Sequence, residues 1–311
     1  MNHAWLFPGQ GAQKVGMGSE LVSRSPKAQE VFQRADEALG FSISRLCFEG
    51  PESELALTKY TQPAIVTASV AALYALREFF DGLPQPRFVA GHSLGEYSAL
   101  VAADALSIED AVRLVHIRGT AMQEAVPAGE GGMAAIMGGD AAAVQTLCDD
   151  AAQGECLSPA NFNAPGQIVI AGSKAAVERA VALSKDRSLK AIVLNVSAPF
   201  HCQLMKPAAE RVAQALSEIE VKAPVIPVIH NVTAQPSQSA EVVREMLIRQ
   251  VDSAVLWQTS VEFMTAQGIT RALELGPGKV LSGLVKRIDK SLAVHAVGSP
   301  DDLLHVESFL A

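Results

Sequence analysis

A serine between two glycines is the residue of this chain best placed to act as a nucleophile. It occurs in Gly91-His92-Ser93-Leu94-Gly95, after a short apolar run and before a stretch with a helical pattern. A sharp turn from strand to helix leaves no room for side chains two residues on either side of its apex, so glycine is needed at positions 91 and 95. The first amides of the helix would point toward the apex hydroxyl. The segment predicts a nucleophilic Ser93, and a glycine-lined turn with a capping serine is the simpler alternative.

His201 is the histidine best placed to activate this serine, whose hydroxyl is a weak nucleophile without a base. It follows a predicted buried strand, in the kind of loop where α/β enzymes place catalytic groups. His92 adjoins Ser93, but successive side chains at a tight turn point apart, so we expect His92 to shape the pocket. The other histidines have neighbours typical of packed or solvated side chains: His3, His116, His230, His295 and His305. No carboxylate is evidently placed to orient His201, and a carbonyl could do so instead.

The helix predicted over residues 108–125 carries two arginines in contrasting surroundings. Arg113 has Glu109 and Asp110 within about one turn and can pair with acids on a solvated face. The residues three and four positions from Arg118 are all apolar: Leu114, Val115, Ala121 and Met122. A buried guanidinium left unpaired is costly, and no acid on the same helix can serve. Either a distant carboxylate of the fold or an anionic ligand must pair with Arg118, and the sequence leaves both open.

The glycine loop Gly9-Gln10-Gly11-Ala12-Gln13 follows a strand predicted over residues 3–7. It is not a dinucleotide-binding fingerprint, because Lys14 stands where the third glycine should be. Glycine would instead let the backbone near Gln10 approach a bound group and offer an N–H. An ordinary loop is the alternative.

Composition limits the class of protein. The chain has 311 residues, of which 49% are apolar, and a net charge of -8; it can bury a large core, and the acidic balance argues against a nucleic-acid binder. Four cysteines without paired spacing indicate reduced thiols in place of disulfides or a zinc site. No signal peptide and no long apolar run is evident. We therefore expect a soluble cytoplasmic protein that does not bind membranes.

Strands alternate with helices along most of the chain, which indicates a mostly parallel sheet covered on both faces. Residues 127–197 follow another order, strand-helix-strand-strand-helix-strand, which is the split ferredoxin-like arrangement. We predict an α/β fold with a large domain, residues 1–126 and 198–311, and a small domain inserted in it, residues 127–197. The turn predicted over residues 161–166 would face the gap between them, with amides that suit a polar ligand, although asparagine and glycine are also common in turns. The pattern elsewhere predicts helices over residues 19–39, 53–59 and 63–80 and a strand over residues 225–232.

Five motifs together resemble the malonyl-CoA:acyl carrier protein transacylases, the acyltransferases that load fatty-acid and polyketide synthesis. They are, in order, Gly9-Gln10-Gly11-Ala12-Gln13, Gly91-His92-Ser93-Leu94-Gly95-Glu96, Arg118, Asn161-Phe162-Asn163-Ala164-Pro165-Gly166 and Phe200-His201, and the likeness runs nearly end to end. The resemblance implies an α/β-hydrolase-like domain with a ferredoxin-like insertion. It also implies that a malonyl group passes from coenzyme A to Ser93 and then to the phosphopantetheine thiol of an acyl carrier protein.

The resemblance also implies a role for each matching residue. His201 would be the general base and acid, oriented by the main-chain carbonyl of Gln250. The amides of Gln10 and Leu94 would form the oxyanion hole. Arg118 would hold the free malonyl carboxylate in a bidentate pair, which is the anion that its apolar surroundings lack. Other residues would line the acyl and pantetheine pocket: His92, Met122, Asn161, Asn163 and Phe200.

The implied substrates are malonyl-CoA and phosphopantetheinylated acyl carrier protein, with no bound cofactor or metal ion, and we expect a monomer. A serine hydrolase such as a thioesterase is the main alternative among enzymes, because it uses the same serine and histidine but lets water reach the acyl-enzyme. A non-catalytic module that docks a carrier protein is the alternative from another class.

Phe200 departs from the family pattern, since many stand-alone bacterial members have a small residue before the histidine. Bulky residues at this position resemble the malonyl-selective acyltransferase domains. We therefore hypothesise that Phe200 crowds a 2-methyl branch and disfavours methylmalonyl-CoA. Cys202 is not expected to be a nucleophile, because it adjoins His201 and adjacent residues cannot easily form the required pair.

Overall fold

Two β-sheets organise the chain in the computed structural model, which describes residues 2–311. The strands are β1 (His3–Phe7), β2 (Phe88–Gly91), β3 (Gly131–Met137), β4 (Leu157–Ala164), β5 (Gln167–Ser173), β6 (Lys190–Val193), β7 (Val228–Ile229), β8 (Pro236–Ser237), β9 (Arg271–Leu275) and β10 (Ala293–Val297). One sheet has the order β10-β9-β1-β2-β7-β8, and only its last pair is antiparallel. The other has the order β4-β5-β3-β6 and is antiparallel throughout. The predicted α/β class is therefore confirmed.

Helices of residues 2–311 connect and cover these strands. They are α1 (Ser19–Arg24), α2 (Pro26–Leu39), α3 (Ile43–Glu49), α4 (Glu52–Leu55), α5 (Thr58–Phe79), α6 (Gly95–Ala102), α7 (Ile108–Glu124), α8 (Ala141–Ala152), α9 (Lys174–Asp186), α10 (Lys206–Ser217), α11 (Ala240–Gln250), α12 (Trp257–Ala266), α13 (Val280–Ile288), α14 (Pro300–Leu303) and α15 (Val306–Leu310). Within this part of the chain, no helix combines the length and the apolar character that crossing a bilayer requires.

The parallel sheet is buried on both faces, which explains why its central strands are apolar runs without alternation. Every residue of β1 and β2 is buried. Trp5, Phe7 and Val89 pack into the core that contains α5 and α7, whereas Leu6 and Ala90 pack into the core that contains α12 and α13. Strands β1 and β2 run in register and end together at Phe7 and Gly91. The glycine loop and the serine turn therefore leave the sheet side by side.

The antiparallel sheet has a small core of its own on one face, and its other face points toward the large core. Ala134, Ile136 and Ile170 pack against α8 and α9, while Met133 and Val169 point the other way into the large core. Main-chain hydrogen bonds tie β4 to the large part of the chain, since Phe162 donates to the Val255 carbonyl at 2.9 Å and Val255 donates to the Ala160 carbonyl at 2.9 Å. The second sheet is thus held directly against the first.

Several predicted element boundaries are wrong. The helix predicted over residues 19–39 is broken at Ser25, whose backbone is extended (φ -130°) and whose side chain accepts a hydrogen bond from Ala28 N–H at the start of α2. The break occurs there because Pro26 disfavours helical backbone in the residue before it and is itself well suited to the first position of a helix. Helix α5 begins at Thr58 and contains Pro63 within its first turns, so the helices predicted over residues 53–59 and 63–80 have the wrong limits. Of the strand predicted over residues 225–232, only β7 forms.

The turn predicted over residues 161–166 is also shorter than expected. Strand β4 continues to Ala164 with two irregularities in its pairing to β5, and Pro165 and Gly166 alone connect the two strands. Asn161 and Asn163 lie two residues apart in this strand, so both side chains can line the same cavity, although they lie in a strand and not in a turn.

Candidate active site

Ser93 occupies a turn that only glycine permits at its flanks. Its backbone is left-handed (φ 50°), which is uncommon for a residue with a side chain and typical of a constrained functional turn. A Cβ on Gly91 would lie 2.0 Å from the Gly95 carbonyl, and a Cβ on Gly95 would lie 2.2 Å from the Phe7 carbonyl oxygen. The Ser93 N–H donates to Asn231 Oδ1 at 2.7 Å, which fixes the turn. The predicted need for both glycines is confirmed.

His201 and Ser93 form a hydrogen-bonded pair. His201 Nε2 lies 2.7 Å from Ser93 Oγ, and Nδ1 lies 2.9 Å from the Gln250 carbonyl oxygen. Because a carbonyl can only accept, Nδ1 carries the proton and Nε2 is free to accept one from the serine. Burial, and next the charge of Arg118, lower the pKa of His201 to about 3. The imidazole is therefore neutral at pH 7, and its Nδ1 contacts the carbonyl of Gln250, the residue that the resemblance implies.

The guanidinium of Arg118 is buried beside Ser93, with 1% of the residue exposed. Nη2 donates to Ser93 Oγ at 3.0 Å and to Gln250 Oε1 at 3.0 Å, and Nη1 donates to Gln62 Oε1 at 2.8 Å. No carboxylate of residues 2–311 lies within salt-bridge distance of it. Burial without a paired anion lowers the pKa of Arg118. The sequence left two partners open for Arg118, and within the described chain a protein carboxylate is excluded. Arg113, in contrast, pairs with Asp110, as predicted.

A cavity of about 190 Å³ joins these groups. It is lined by Gln10, Gln62, His92, Ser93, Arg118, Met122, Met133, Asn161, Asn163, Val169, Leu194, Val196, Phe200 and His201. All five predicted pocket residues are among them. His92 Nε2 pairs with Asn163 Oδ1 at 2.8 Å, so the side chain next to Ser93 is fixed by the other sheet. A larger cavity, about 400 Å³, lies near Lys14 and Lys279 and includes none of the reactive groups.

Of the two residues predicted to supply amides to the oxyanion hole, Gln10 lines the cavity and Leu94 directly follows the cavity-lining Ser93. Gly9 packs directly against the serine turn, since a Cβ there would lie 2.5 Å from the His92 carbonyl oxygen, and the next residue, Gln10, lines the same cavity as Ser93. Among the described residues, neither Gln10 N–H nor Leu94 N–H donates to a protein acceptor. Both remain available to an oxygen formed in the cavity.

Three buried polar residues in and around the site were not predicted from the sequence: Gln62, Glu96 and Asn231. Glu96 accepts from His230 Nδ1 at 2.7 Å, Asn231 N at 3.0 Å and Gln250 Nε2 at 2.8 Å. One signal was visible, because a carboxylate in a segment that is otherwise apolar or small must find buried partners. The partners come from distant parts of the chain, so their identity could not be inferred.

Cys202 does not take part in the reactive cluster. Its thiol is buried and lies 3.1 Å from the Pro199 carbonyl oxygen. Its interaction with Cys156 raises the pKa of Cys202 and lowers the pKa of Cys156 to about 6. A thiol with a raised pKa is a poor nucleophile, which agrees with the prediction for Cys202.

Comparisons with known proteins agree with this geometry. Residues 4–297 match the acyl transferase domain family. The malonyl CoA-acyl carrier protein transacylase of Salmonella typhimurium is 49% identical over 298 residues, which are 96% of either chain. An acyl carrier protein S-malonyltransferase from Vibrio cholerae has a TM-score of 0.96 at 48% identity and covers 98% of this chain and 100% of its own. A malonyl-transacylase solved in complex with its type II PKS acyl-carrier protein has a TM-score of 0.95 at 46% identity, with 98% of both chains covered.

Proposed function

The chain belongs to the acyl transferase family, and on that premise we propose that it transfers the malonyl group of malonyl-CoA to the phosphopantetheine thiol of an acyl carrier protein through a malonyl ester of Ser93. The reaction supplies chain elongation in fatty-acid or polyketide synthesis. The observation that carries the proposal is the position of Arg118, a buried cation without a protein carboxylate in residues 2–311, whose Nη2 lies 3.0 Å from Ser93 Oγ. The same geometry fits an acyl group with a free carboxylate.

In the first half-reaction, Ser93 Oγ attacks the thioester carbonyl of malonyl-CoA while His201 Nε2 takes the serine proton. The carbonyl oxygen becomes an oxyanion, held by the N–H groups of Gln10 and Leu94. Collapse of this intermediate breaks the C–S bond, and the proton on His201 passes to the sulfur. Coenzyme A leaves as a thiol, and Ser93 carries the malonyl ester.

In the second half-reaction the same groups work in reverse. His201 takes the proton of the phosphopantetheine thiol, the sulfur attacks the ester carbonyl, and the oxyanion again meets the two amides. The C–O bond to Ser93 breaks and its oxygen recovers the proton from His201. Every proton is carried by the histidine, so no further acid or base is required, and the chemistry uses the chain and its two substrates alone.

Arg118 selects the acyl group. A carboxylate in the cavity can accept two parallel hydrogen bonds from a guanidinium, and each charged hydrogen bond contributes about 1.5–3 kcal/mol. An acetyl group would leave the cation unpaired. Burial strengthens the preference, since the charge of Arg118 is screened by little water.

We extend the proposal to the fold. The six-stranded sheet with helices on both faces suits an α/β-hydrolase-like domain of residues 1–126 and 198–311. In residues 127–197 the strand order β4-β5-β3-β6 corresponds to the 4-1-3-2 order of a ferredoxin-like unit, with α8 and α9 on one face. These observations support a small domain inserted in the large one.

The experiment that tests the function is intact-mass spectrometry after brief exposure to malonyl-CoA. The wild-type chain should gain the mass of one malonyl group, mapped by peptide analysis to Ser93, and Ser93→Ala should gain none. A wild-type chain that gains no mass, or a Ser93→Ala variant labelled as fast as wild type, contradicts the proposal.

A further inference from the structure

Two buried amide side chains hold the guanidinium of Arg118. Gln62 Oε1 accepts from Nη1 at 2.8 Å, and Gln250 Oε1 accepts from Nη2 at 3.0 Å. Both glutamines are almost fully buried, at 1% and 0% exposure. We call the two side chains the amide clamp. Both acceptors are neutral oxygens, and an amide oxygen gives an N–H its partner without supplying a full negative charge.

The orientation of Gln250 in the clamp is fixed from behind. Its Nε2 donates to Glu96 Oε2 at 2.8 Å and to the Ser93 carbonyl oxygen at 3.0 Å. A carboxylate only accepts and a guanidinium only donates, so the amide nitrogen must face Glu96 and the amide oxygen must face Arg118. Glu96 thus acts on Arg118 through an amide, and its charge is kept one side chain away from the cation.

This distance matters for an anion-binding site. A carboxylate in direct contact with Arg118 would form a buried ion pair, which the carboxylate of an incoming acyl group would have to displace at a large cost. With no polar partner at all, the buried guanidinium would be badly solvated and free to adopt other positions. The clamp avoids both outcomes. The Nε–H of Arg118 has no acceptor within residues 2–311, so part of the guanidinium remains available.

We propose that the side chains of Gln62 and Gln250 are positioning residues that set acyl selectivity, because they fix Arg118 toward Ser93 while leaving its charge unpaired for the acyl carboxylate. The inference rests on the proposed function, since it concerns how Arg118 meets the malonyl group. Gln62 is the better residue to test, because the main chain of Gln250 also holds His201.

The test compares Gln62→Glu and Gln62→Met with wild type in single-turnover acylation of Ser93 by malonyl-CoA and by acetyl-CoA. Gln62→Glu places a carboxylate against Arg118 at nearly constant shape, and we expect the malonyl-to-acetyl ratio of kcat/KM to fall at least tenfold. Gln62→Met removes one acceptor at similar volume, and we expect a smaller fall in the same ratio. Gln145→Glu is the matched control on the exposed face of α8 and should leave the ratio unchanged.

The outcomes separate this inference from the proposed function. If wild type is not acylated by malonyl-CoA, the proposed function fails. If wild type is acylated but both Gln62 variants slow the two thioesters equally, the glutamine is merely structural and the inference is overturned. A crystal structure of Gln62→Met gives a readout independent of activity, because the inference requires Arg118 to shift away from its contact with Ser93 Oγ. An unchanged guanidinium in that variant would also overturn it.

Discussion

The hydroxyl of Ser93 lies between a neutral base and a cation, with His201 Nε2 at 2.7 Å and Arg118 Nη2 at 3.0 Å. The base can accept the serine proton, and the cation can stabilise negative charge that develops on the oxygen. Both partners are buried, so water competes little for either contact. We propose that these three residues carry the chemistry, and single substitutions at this scale test that proposal most sharply.

Arg118→Ala should change which acyl group the enzyme accepts. Loss of the charged hydrogen bonds removes about 3 kcal/mol or more from malonyl binding at the transition state, which corresponds to roughly a hundredfold in malonyl kcat/KM. Acetyl transfer should fall less, because the acetyl group has no carboxylate to lose. Steady-state kinetics with both thioesters measure the ratio. An unchanged malonyl-to-acetyl ratio would remove Arg118 from its assigned role.

The lowered pKa of His201 predicts activity in acid. A histidine with the usual pKa of about 6.5 would be roughly 3% neutral at pH 5, whereas a pKa of about 3 keeps His201 almost wholly neutral there. The rate at which an uncharged fluorophosphonate labels Ser93 should therefore change less than about twofold between pH 7 and pH 5. An uncharged reagent is chosen because a bound carboxylate would offset the charge of Arg118 and raise the pKa of His201.

The same shift has a cost in stability. The unfolded chain binds a proton at His201 near pH 6.5 and the folded chain does not. The free energy of unfolding therefore has its full value above that pH and decreases as the pH falls from 6.5 toward 3. At pH 5 the loss is about 2 kcal/mol. Circular dichroism at pH 5 is the necessary control. Labelling that falls thirtyfold while the spectrum stays native would contradict the lowered pKa.

Phe200 lines the cavity and is 8% exposed. If Phe200 crowds a 2-methyl branch, the kcat/KM of wild type should be about tenfold or more higher for malonyl-CoA than for methylmalonyl-CoA. One methyl group typically changes kcat/KM by at least this factor in a tight pocket. Phe200→Ala should reduce that preference, and Phe79→Ala, at a phenylalanine 44% exposed, should not. Equal wild-type rates with the two thioesters would refute the hypothesis.

At the level of residues, the structure brings together the three residues that the motifs in the sequence singled out. Ser93, His201 and Arg118 were each identified from their neighbours along the chain, because glycine spacing and an apolar stripe are local signals. Gln62 and Asn231 were not identified, because their partners lie 56 and 138 residues away along the chain. Such contacts depend on tertiary packing, which no local pattern records.

The strand-to-helix turn is the element that holds Ser93, and its flanking glycines leave no room for an added Cβ. Gly95→Ala would place a Cβ 2.2 Å from the Phe7 carbonyl oxygen, so β1 and α6 must separate. We expect a loss of about 1–3 kcal/mol in the free energy of unfolding, together with slower acylation of Ser93. Urea denaturation measures the first effect.

Gly283→Ala is the matched control for this substitution. Gly283 lies in helix α13, and a Cβ there meets no atom within 4 Å, so alanine should raise stability by up to about 1 kcal/mol through helix propensity. If Gly95→Ala unfolds at the same urea concentration as wild type, the turn is not the constraint described.

Element boundaries could be predicted only in part from the sequence. The order of strands in residues 127–197 was correct, because alternation and turn residues are local. The end of β4 was misplaced, since Asn161 and Asn163 are residue types typical of turns. In the structure Asn161 pairs with β5 and with Val255, and pairing with β5 continues to Ala164. Pairing with distant strands overrode local preference.

At the scale of the whole molecule, the reactive groups lie where the two sheets meet. The parallel sheet supplies Ser93 at the carboxyl end of β2, and the antiparallel sheet supplies Met133, Asn163 and Val169 to the same cavity. The hydrogen bond between His92 and Asn163 joins the two sides next to the nucleophile. An acyl group on Ser93 would therefore be enclosed by both, which favours transfer to a thiol delivered on a long arm over attack by bulk water.

The most direct measurement of this account follows the malonyl enzyme by intact mass after excess malonyl-CoA has been removed. Without an acceptor, the malonyl ester on Ser93 should persist, and addition of phosphopantetheinylated acyl carrier protein should move the malonyl mass from the enzyme to the carrier within one turnover. Release of free malonate at the same rate with and without the carrier would show a hydrolase and contradict the account.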